Sequence, residues 1–291
     1  MQTQALRAQP PADLPATAEL AATPFFPQTE YQCGPAALAT VLAGAGVAAD
    51  PVQLGDEVFL PARTGTLQVE MLAGARRHGT VATRLPATLE AMLREVQAGH
   101  PVVVLLNLGL SWAPLWHYAV LVGYDLQAGE VWLRSGTTRR ATLPLRTFEH
   151  TWTRAGAWAF VALPPGQWPA TAQEAAAIEA SVGFERTAPA AQAVLVYRSA
   201  LARWPQSLSL QMGLGNTLYA SGDKAAAADA FRAAAERHRS APAYINLSAI
   251  LLELKRRDEA VAAARAAVAV DDAAWRAQAQ AALSAALAAA P

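Results

Sequence analysis

The C-terminal part of the chain repeats itself at a spacing of 33 to 34 residues. The recurring residues are small, aliphatic or aromatic. At a spacing of 34, Ala193, Tyr197 and Ala200 recur as Ala227, Phe231 and Ala234. At a spacing of 33, Leu214, Leu218, Ala227 and Ala230 recur as Leu247, Leu251, Ala260 and Ala263. The residues between them are mostly good helix formers such as Ala, Leu, Gln, Glu and Arg. A period of this length predicts helical units that bury their apolar faces only by stacking on one another.

These repeats resemble the tetratricopeptide repeat. Residues 214–219 (Leu-Gly-Asn-Thr-Leu-Tyr) lead through Gly222 and Asp223 to Ala227 and Phe231. Small residues stand where two helices touch closely, and an aromatic ring fills the next gap. We predict a degenerate repeat, two full repeats and a capping helix: 171–204, 208–240, 241–271 and 272–291. The resemblance implies that this domain recruits a protein partner. A plain Ala-rich helical bundle is the alternative, which the regular spacing disfavours.

A cluster of turn-forming residues separates the repeats from the first half of the chain, namely 164–169 (Pro-Pro-Gly-Gln-Trp-Pro). A length of 291 residues suggests about two domains. We therefore predict four segments: a flexible leader (1–22), a first domain (23–164), a linker (165–170) and the helical repeat domain (171–291). The leader is rich in Ala, Pro and Gln and lacks the basic-then-apolar order of a signal peptide.

The first domain begins with predicted helices and continues with predicted strands. The helices are expected at 35–43, 50–58, 66–78 and 86–98, with a short one at 147–152. The strands are expected at 80–85, 101–106, 116–124, 130–134, 141–145 and 157–163. Residues 101–106 (Pro-Val-Val-Val-Leu-Leu) are continuously apolar, which indicates a strand buried on both faces. Helices followed by an antiparallel sheet predict an α+β fold.

The only cysteine lies where the first of these helices begins. Pro35, predicted at the first helical position, follows Cys33 closely, and Gly44 and Gly46 are typical of a helix end. The positive end of the helix macrodipole favours the thiolate, which is the nucleophilic form of cysteine. A small buried apolar residue is the ordinary alternative for a lone cysteine.

One of the five histidines stands out by its position. His117 opens the predicted strand 116–124 (Trp-His-Tyr-Ala-Val-Leu-Val-Gly-Tyr), whose other residues are apolar. A polar ring in such a strand is costly unless it has a partner. The other four, at predicted helix ends, turns or solvated faces, are His78, His100, His150 and His238. None of the five has metal-ligand spacing, so we predict no metal site.

Two stretches of the chain resemble papain-like cysteine peptidases of the double-glycine leader (bacteriocin-processing) type and their stand-alone relatives. The first is residues 28–36, in which Gln28 is followed by Cys33-Gly34-Pro35, and the second is the strand that His117 opens. The resemblance implies a papain-like α+β fold. It also implies that Cys33 attacks the scissile carbonyl, that His117 is its base, and that Gln28 helps to form the oxyanion hole. Relatives of this type are usually fused to an ATP-driven transporter, for which this sequence has no phosphate loop and no membrane span.

The third catalytic residue departs from the family pattern. Relatives usually place Asp or Asn on the strand after the histidine strand, where this sequence has Ser135. Asp125 lies eight residues beyond His117, about 26 Å along an extended strand, so it cannot orient the imidazole. A hairpin that turns near 127–129 brings Ser135, Thr137 or Thr138 opposite His117. A hydroxyl fixes the imidazole tautomer but stabilises imidazolium less than a carboxylate does.

Composition and charge exclude several functions. Lys plus Arg and Asp plus Glu number 23 each, so nothing indicates a nucleic-acid partner. No cofactor motif is present, and we expect no cofactor. The longest apolar run, 101–110, is half of the roughly 20 residues that a spanning helix needs. The compartment stays open, because the resemblance allows export through a segment upstream of Met1.

Three functions remain for the chain as a whole. The first is a cysteine peptidase that cleaves a peptide or protein, with the repeats recruiting that substrate or a partner. The second is a catalytically weak or inactive peptidase-like scaffold. The third is papain-like acyl transfer. Trp112 and Trp116, just before His117, either wall a substrate groove or belong to the core.

Overall fold

The computed structural model describes residues 1–28 and 32–289. The chain forms two compact units, Met1–Ala188 and Pro189–Pro291. The elements of the first unit are, in chain order: α1 Gln2–Ala8, β1 Thr17–Glu19, α2 Cys33–Gly44, α3 Pro51–Val58, a 3₁₀ turn Pro61–Arg63, α4 Gln68–Arg77, β2 Val81–Arg84, α5 Leu89–Gln97, β3 Val102–Asn107, β4 Trp116–Asp125, β5 Glu130–Ser135, β6 Thr138–Pro144, α6 Leu145–Arg154, β7 Ala159–Leu163 and α7 Glu174–Glu185.

An antiparallel sheet organises this unit. Its strands follow the order β2-β7-β3-β4-β5-β6, and β1 pairs with β4 beside them. The central strand β3 is buried on both faces, as its unbroken apolar sequence predicted. Its side chains alternate between two cores, with Val102 and Val104 in one and Val103 and Leu105 in the other. The α+β class with helices first is therefore confirmed.

The two cores are formed by different helices. One face of the sheet packs against α2, α3 and α4, through residues such as Leu38, Leu54 and Met71. The other face packs against α5 and α6, through residues such as Met92 and Trp152. Helix α3 begins as predicted, because the Asp50 side chain accepts a hydrogen bond from the N–H of Val52.

Helix α2 begins earlier than the sequence predicted. Its first residue is Cys33, so Pro35 stands third and not first. The first four N–H groups of a helix lack partners within it, so a proline is tolerated anywhere in the first turn. The earlier start places Cys33 itself at the helix N-terminus.

The prediction that residues 1–22 form a flexible leader is wrong. Residues 1–22 contain α1 and β1, and Leu6 and Leu14 are buried in the core of the first unit. The Glu149 carboxylate accepts hydrogen bonds from the N–H groups of Gln2 and Thr3, at 2.7 and 2.9 Å. Strand β1 pairs with the end of β4 that extends beyond its pairing with β3. Three isolated leucines among Ala, Pro and Gln produce no periodicity, so composition alone suggested a loose segment.

We expect that packing to contribute to stability. Replacing Leu6 by alanine is expected to lower the free energy of unfolding of the first unit by about 2–4 kcal/mol, because Leu6 is buried against the sheet. Replacing the exposed Gln4 in the same helix should change it by less than about 0.5 kcal/mol. Urea unfolding followed by tryptophan fluorescence measures both. Equal effects of the two variants would argue that the segment does not pack.

The structure also corrects the predicted positions of the linker and of the start of the repeats. Helix α7 packs against β2 and α4 and belongs to the first unit, which ends at Ala188. Gly183 of α7 leaves room for the guanidinium of Arg76 on α4, because a Cβ at residue 183 would overlap that group as it is placed. The predicted linker is tied to α5, since the buried Glu95 carboxylate accepts hydrogen bonds from the N–H groups of Ala170 and Thr171. An apolar-periodic helix does not reveal which neighbour it will contact.

The second unit consists of six helices within the described residues: α8 Ala190–Arg203, α9 Leu208–Ala220, α10 Lys224–His238, α11 Ala241–Glu253, α12 Arg257–Val270 and α13 Arg276–Ala288. The two predicted full repeats correspond to α9 with α10 and α11 with α12. Small residues meet aromatic rings as expected, because a Cβ on Gly215 would lie 2.7 Å from the Phe231 ring. This helical repeat architecture is confirmed. No helix in the described part of the chain is long and apolar enough to cross a membrane.

Candidate active site

Cys33 stands at the N-terminus of α2 and is half-buried. The first hydrogen bond of this helix joins the N–H of Ala36 to the carbonyl of Gln32, so the N–H groups of Cys33 and Gly34 precede the helical ladder. Gly34 lets the loop before α4 approach closely, because a Cβ there would lie 2.7 Å from Cβ of Thr66. The nucleophile candidate is therefore held between a helix start and a neighbouring loop.

His117 lies on β4 and contacts Ser135, the last residue of β5. Its Nε2 atom is 2.8 Å from Oγ of Ser135. The contact arises because β4 and β5 are antiparallel and β5 ends where the chain turns at Gly136, whose φ of 58° is left-handed. Asp125 lies at the opposite end of β4 and accepts a hydrogen bond from the N–H of Ala128.

Gln28 precedes the cysteine and is fixed to the same turn. Its N–H donates a hydrogen bond to the carbonyl of Gly136, at 3.0 Å. Gly136 directly follows Ser135 in the chain. One backbone contact therefore ties the segment that carries Gln28 to the strand end that contacts His117.

An open cavity of about 950 Å³ brings these residues together. Gln28, Cys33 and His117 all line it, although they lie far apart in the sequence. The remaining lining residues are mostly uncharged, with Leu105 and Ala155 among them. Among the lining residues that the structure describes, Arg63 is the only lysine or arginine, and none is a carboxylate.

The family model described as the Peptidase_C39-like family matches residues 20–160. This segment is similar to the C39-like peptidase family, and we call the unit that contains it the C39-like domain. No curated protein matches the chain. A C39-like peptidase structure from Bacillus anthracis is 21% identical, covering 50% of this chain and 97% of its own, with a TM-score of 0.42. The peptidase domain of Streptococcus ComA, described as a bifunctional ABC transporter in a quorum-sensing pathway, is 20% identical (49% and 98% covered, TM-score 0.42). The tetratricopeptide repeat protein TTC0263 of Thermus thermophilus is 22% identical (38% and 64% covered, TM-score 0.32).

Burial disfavours the charged form of His117 in the C39-like domain. Desolvation lowers the pKa of His117 below its ordinary value, and no described carboxylate beside it opposes the effect. When Nε2–H donates to Ser135, Nδ1 keeps the lone pair and is the nitrogen that can accept a proton. The serine thus suits a neutral, oriented imidazole better than a stabilised imidazolium.

Tyr118 and Thr66 are site residues that the sequence analysis missed. The Tyr118 hydroxyl donates a hydrogen bond to the carbonyl of Thr66, at 3.2 Å, and both residues line the cavity of the C39-like domain. Burial raises the pKa of Tyr118 well above its usual range, and the nearby Cys33 adds to the effect. Tyr118 was visible as the residue after His117, but no pattern indicated that the irregular loop before α4 would reach it.

The two tryptophans before His117 are not core residues. Trp116 lines the cavity rim and is 54% exposed, whereas Trp112 is 82% exposed. Of the two roles predicted for these tryptophans, forming a wall beside the site is the one that fits Trp116. In residues 1–28 and 32–289, no group of His, Cys, Asp and Glu side chains is arranged to hold a metal ion.

Because residue 135 carries a hydroxyl in place of a carboxylate, we predict a specific pH dependence of the activity. If His117 is the base of a peptidase, its lowered pKa keeps it neutral in more acidic solution, so the acid limb of the kcat/KM profile for peptide cleavage should lie below pH 6.5, the ordinary pKa of histidine. Replacing Ser135 by aspartate should move that limb up by about one pH unit and raise activity about tenfold, because a carboxylate stabilises imidazolium. Steady-state rates from about pH 4 to 9 measure both. An unchanged profile and rate would mean that Ser135 does not orient His117.

Proposed function

We propose that the C39-like domain is a cysteine peptidase that hydrolyses a peptide or amide bond. In this proposal Cys33 is the nucleophile and His117 is the general base and acid. Gln28 donates to the oxyanion, and Ser135 orients the imidazole. The observation that carries the proposal is the cavity that gathers Gln28, Cys33 and His117, with the imidazole held at Ser135.

The residues divide the chemistry as follows. His117 accepts the proton of the Cys33 thiol, and the sulfur attacks the scissile carbonyl carbon. The oxyanion that forms receives hydrogen bonds from the Gln28 side chain and the N–H of Cys33. The C–N bond then breaks, and His117 gives its proton to the leaving amine. Water, deprotonated by His117, attacks the thioester and releases the acid and the free thiol.

The helical repeat unit is assigned the recruitment of a protein substrate or partner. Support comes from its architecture, in which two complete helix pairs are stacked beside further helices. Such arrays use extended surfaces to bind proteins. A co-precipitation in which residues 189–291 capture the same partner as the full chain tests this assignment.

A peptidase-like scaffold of low activity is the second candidate function. The observation that favours it is Ser135, a neutral hydroxyl where a carboxylate would stabilise imidazolium. Under this proposal the cavity binds a peptide segment without turning it over at a useful rate.

A peptide-cleavage screen read by mass spectrometry separates the two candidates. The wild-type chain is compared with Cys33→Ala on one peptide library, and products unique to the wild type support hydrolysis. A parallel reaction with an added amine acceptor detects acyl transfer as a conjugate in place of a free acid. If neither product forms at any pH between about 5 and 9, a range that brackets the ordinary pKa values of histidine and cysteine, the hydrolase proposal fails.

A further inference from the structure

An apolar hairpin projects beside the cavity. It comprises residues 108–115, which connect β3 to β4, and Trp116, the first residue of β4, which immediately precedes His117. Trp112 is 82% exposed and Leu115 is 61% exposed, a large solvent contact for such side chains. The exposed apolar residues of this hairpin are Leu108, Leu110, Trp112, Leu115 and Trp116. So many such residues in one short hairpin form a patch, and patches of this kind mark binding sites.

Backbone hydrogen bonds order the hairpin. The N–H of Leu108 donates to the carbonyl of Leu115 at 2.8 Å, and the N–H of Leu110 donates to the carbonyl of Ala113 at 3.0 Å. Gly109 is required by the tight return of the chain, because a Cβ there would overlap the Ala113 carbonyl and lie 2.8 Å from the Leu115 nitrogen. The exposed side chains are therefore displayed on a fixed backbone.

The Asn107 side chain holds the hairpin in place through hydrogen bonds. The side chain is buried, and Oδ1 accepts hydrogen bonds from the N–H groups of Gly109 and Leu115, both at 3.0 Å. The backbone carbonyl of Asn107 accepts a hydrogen bond from the Arg154 guanidinium. A surface ordered before binding loses little conformational entropy when a ligand arrives, which favours affinity.

The apolar surface continues into the cavity. Leu115 and Trp116 belong to the hairpin and also line the cavity that holds Cys33 and His117. Leu67, 44% exposed, lines the same cavity from the loop before α4. A chain segment lying in the cavity therefore meets large apolar side chains next to the reacting groups.

We propose that this hairpin binds large apolar side chains of the peptide substrate close to the scissile bond, so that the enzyme selects apolar segments. This inference rests on the proposed function and adds its substrate class. A membrane surface is the less favoured occupant, because residues 107–118 contain no lysine or arginine to attract anionic headgroups. Asn107 is then a positioning residue, which acts through the hairpin.

Matched variants test the hairpin. Quenched fluorescent peptides carrying Leu, Phe or Trp are compared with the same peptides carrying Ser or Asn at several positions on each side of the cleaved bond. The double variant Leu110→Ser and Trp112→Ser should lose about tenfold or more in kcat/KM on the apolar peptides through a higher KM. Cleavage of the polar peptides should not change. Val52→Ser, which removes an exposed apolar residue on α3, is the control and should retain the full preference.

The role of Asn107 has its own pair of variants. Asn107→Ala removes the acceptor of two N–H groups and should raise KM for apolar peptides while kcat is retained. Asn107→Asp keeps a side-chain acceptor at that place and should restore most of the loss. If both variants lower kcat equally on apolar and polar peptides, Asn107 supports the fold and does not position the hairpin.

Further measurements separate this inference from the proposed function. Calorimetry with Cys33→Ala and an apolar peptide should detect binding that the double variant loses, even if the wild type cleaves nothing. Cleavage with the same preference in wild type and double variant overturns the inference and leaves the peptidase intact. Hairpin-dependent binding to phosphatidylcholine–phosphatidylglycerol vesicles, or hairpin-dependent dimerisation, without any effect on peptides would also overturn it.

Discussion

Replacing His117 by alanine is expected to lower kcat/KM for peptide cleavage by about 10²- to 10⁴-fold, the usual contribution of a general acid–base residue. The loss should appear mainly in kcat, because the imidazole moves protons in the transition state and adds little to substrate binding. His150→Ala, which changes an exposed histidine on α6, is the matched control and should keep full activity.

The same variant should also change the reactivity of the thiol. Cys33 is the only cysteine in the chain, so iodoacetamide labelling reports on it alone. The wild type should be alkylated faster than His117→Ala at the same pH, because only the wild type has an imidazole that can accept the thiol proton. A wild-type thiol that stays unreactive up to about pH 8 would contradict the hydrolase proposal and favour the scaffold.

Replacing Gln28 by alanine is expected to lower kcat by about 10²- to 10³-fold, the usual cost of losing one oxyanion donor. The backbone N–H of residue 28 still donates to the Gly136 carbonyl in this variant, so the substitution removes the side-chain amide and keeps the local anchor. Gln127→Ala, at an exposed position beyond β4, is the matched control. Steady-state kinetics on one peptide substrate compares both variants with the wild type.

The division of the effect between kcat and KM identifies what Gln28 does. An oxyanion donor acts only in the transition state, so KM should change little. A raised KM with an unchanged kcat would instead place Gln28 in ground-state substrate binding. That result would remove Gln28 from the proposed chemistry while leaving Cys33 and His117 in it.

Periodic and strongly punctuated segments were the ones that the sequence predicted well. Strand β3 followed from its unbroken apolar run, and β4 and β5 from the turn between them. Counting from the same turn left Ser135, Thr137 and Thr138 as candidates to reach His117, and in the structure Oγ of Ser135 lies 2.8 Å from the imidazole. Local patterns therefore predicted these strands and reduced the possible partners of His117 to three residues.

Irregular and long-range contacts were not predictable in this way. The hairpin anchored by Asn107 and the loop held by Tyr118 have no repeating pattern, and particular side-chain hydrogen bonds fix their conformations. Helix α7 is alanine-rich like several helices of the second unit, and only its packing against β2 and α4 assigns it to the first. Leu6 and Leu14 acquire a place in the core only once the sheet exists.

The family match and the folded unit have different limits, and this affects how the chain can be divided into fragments. Residues 20–160 carry the family signature, whereas the compact unit runs from Met1 to Ala188. A fragment cut at the family limits would lose Leu6 and Leu14 from its core and strip α7 from β2. It would be prone to aggregation, and its inactivity would say nothing about Cys33. Expression of 1–188 is the truncation that preserves every contact described within this unit.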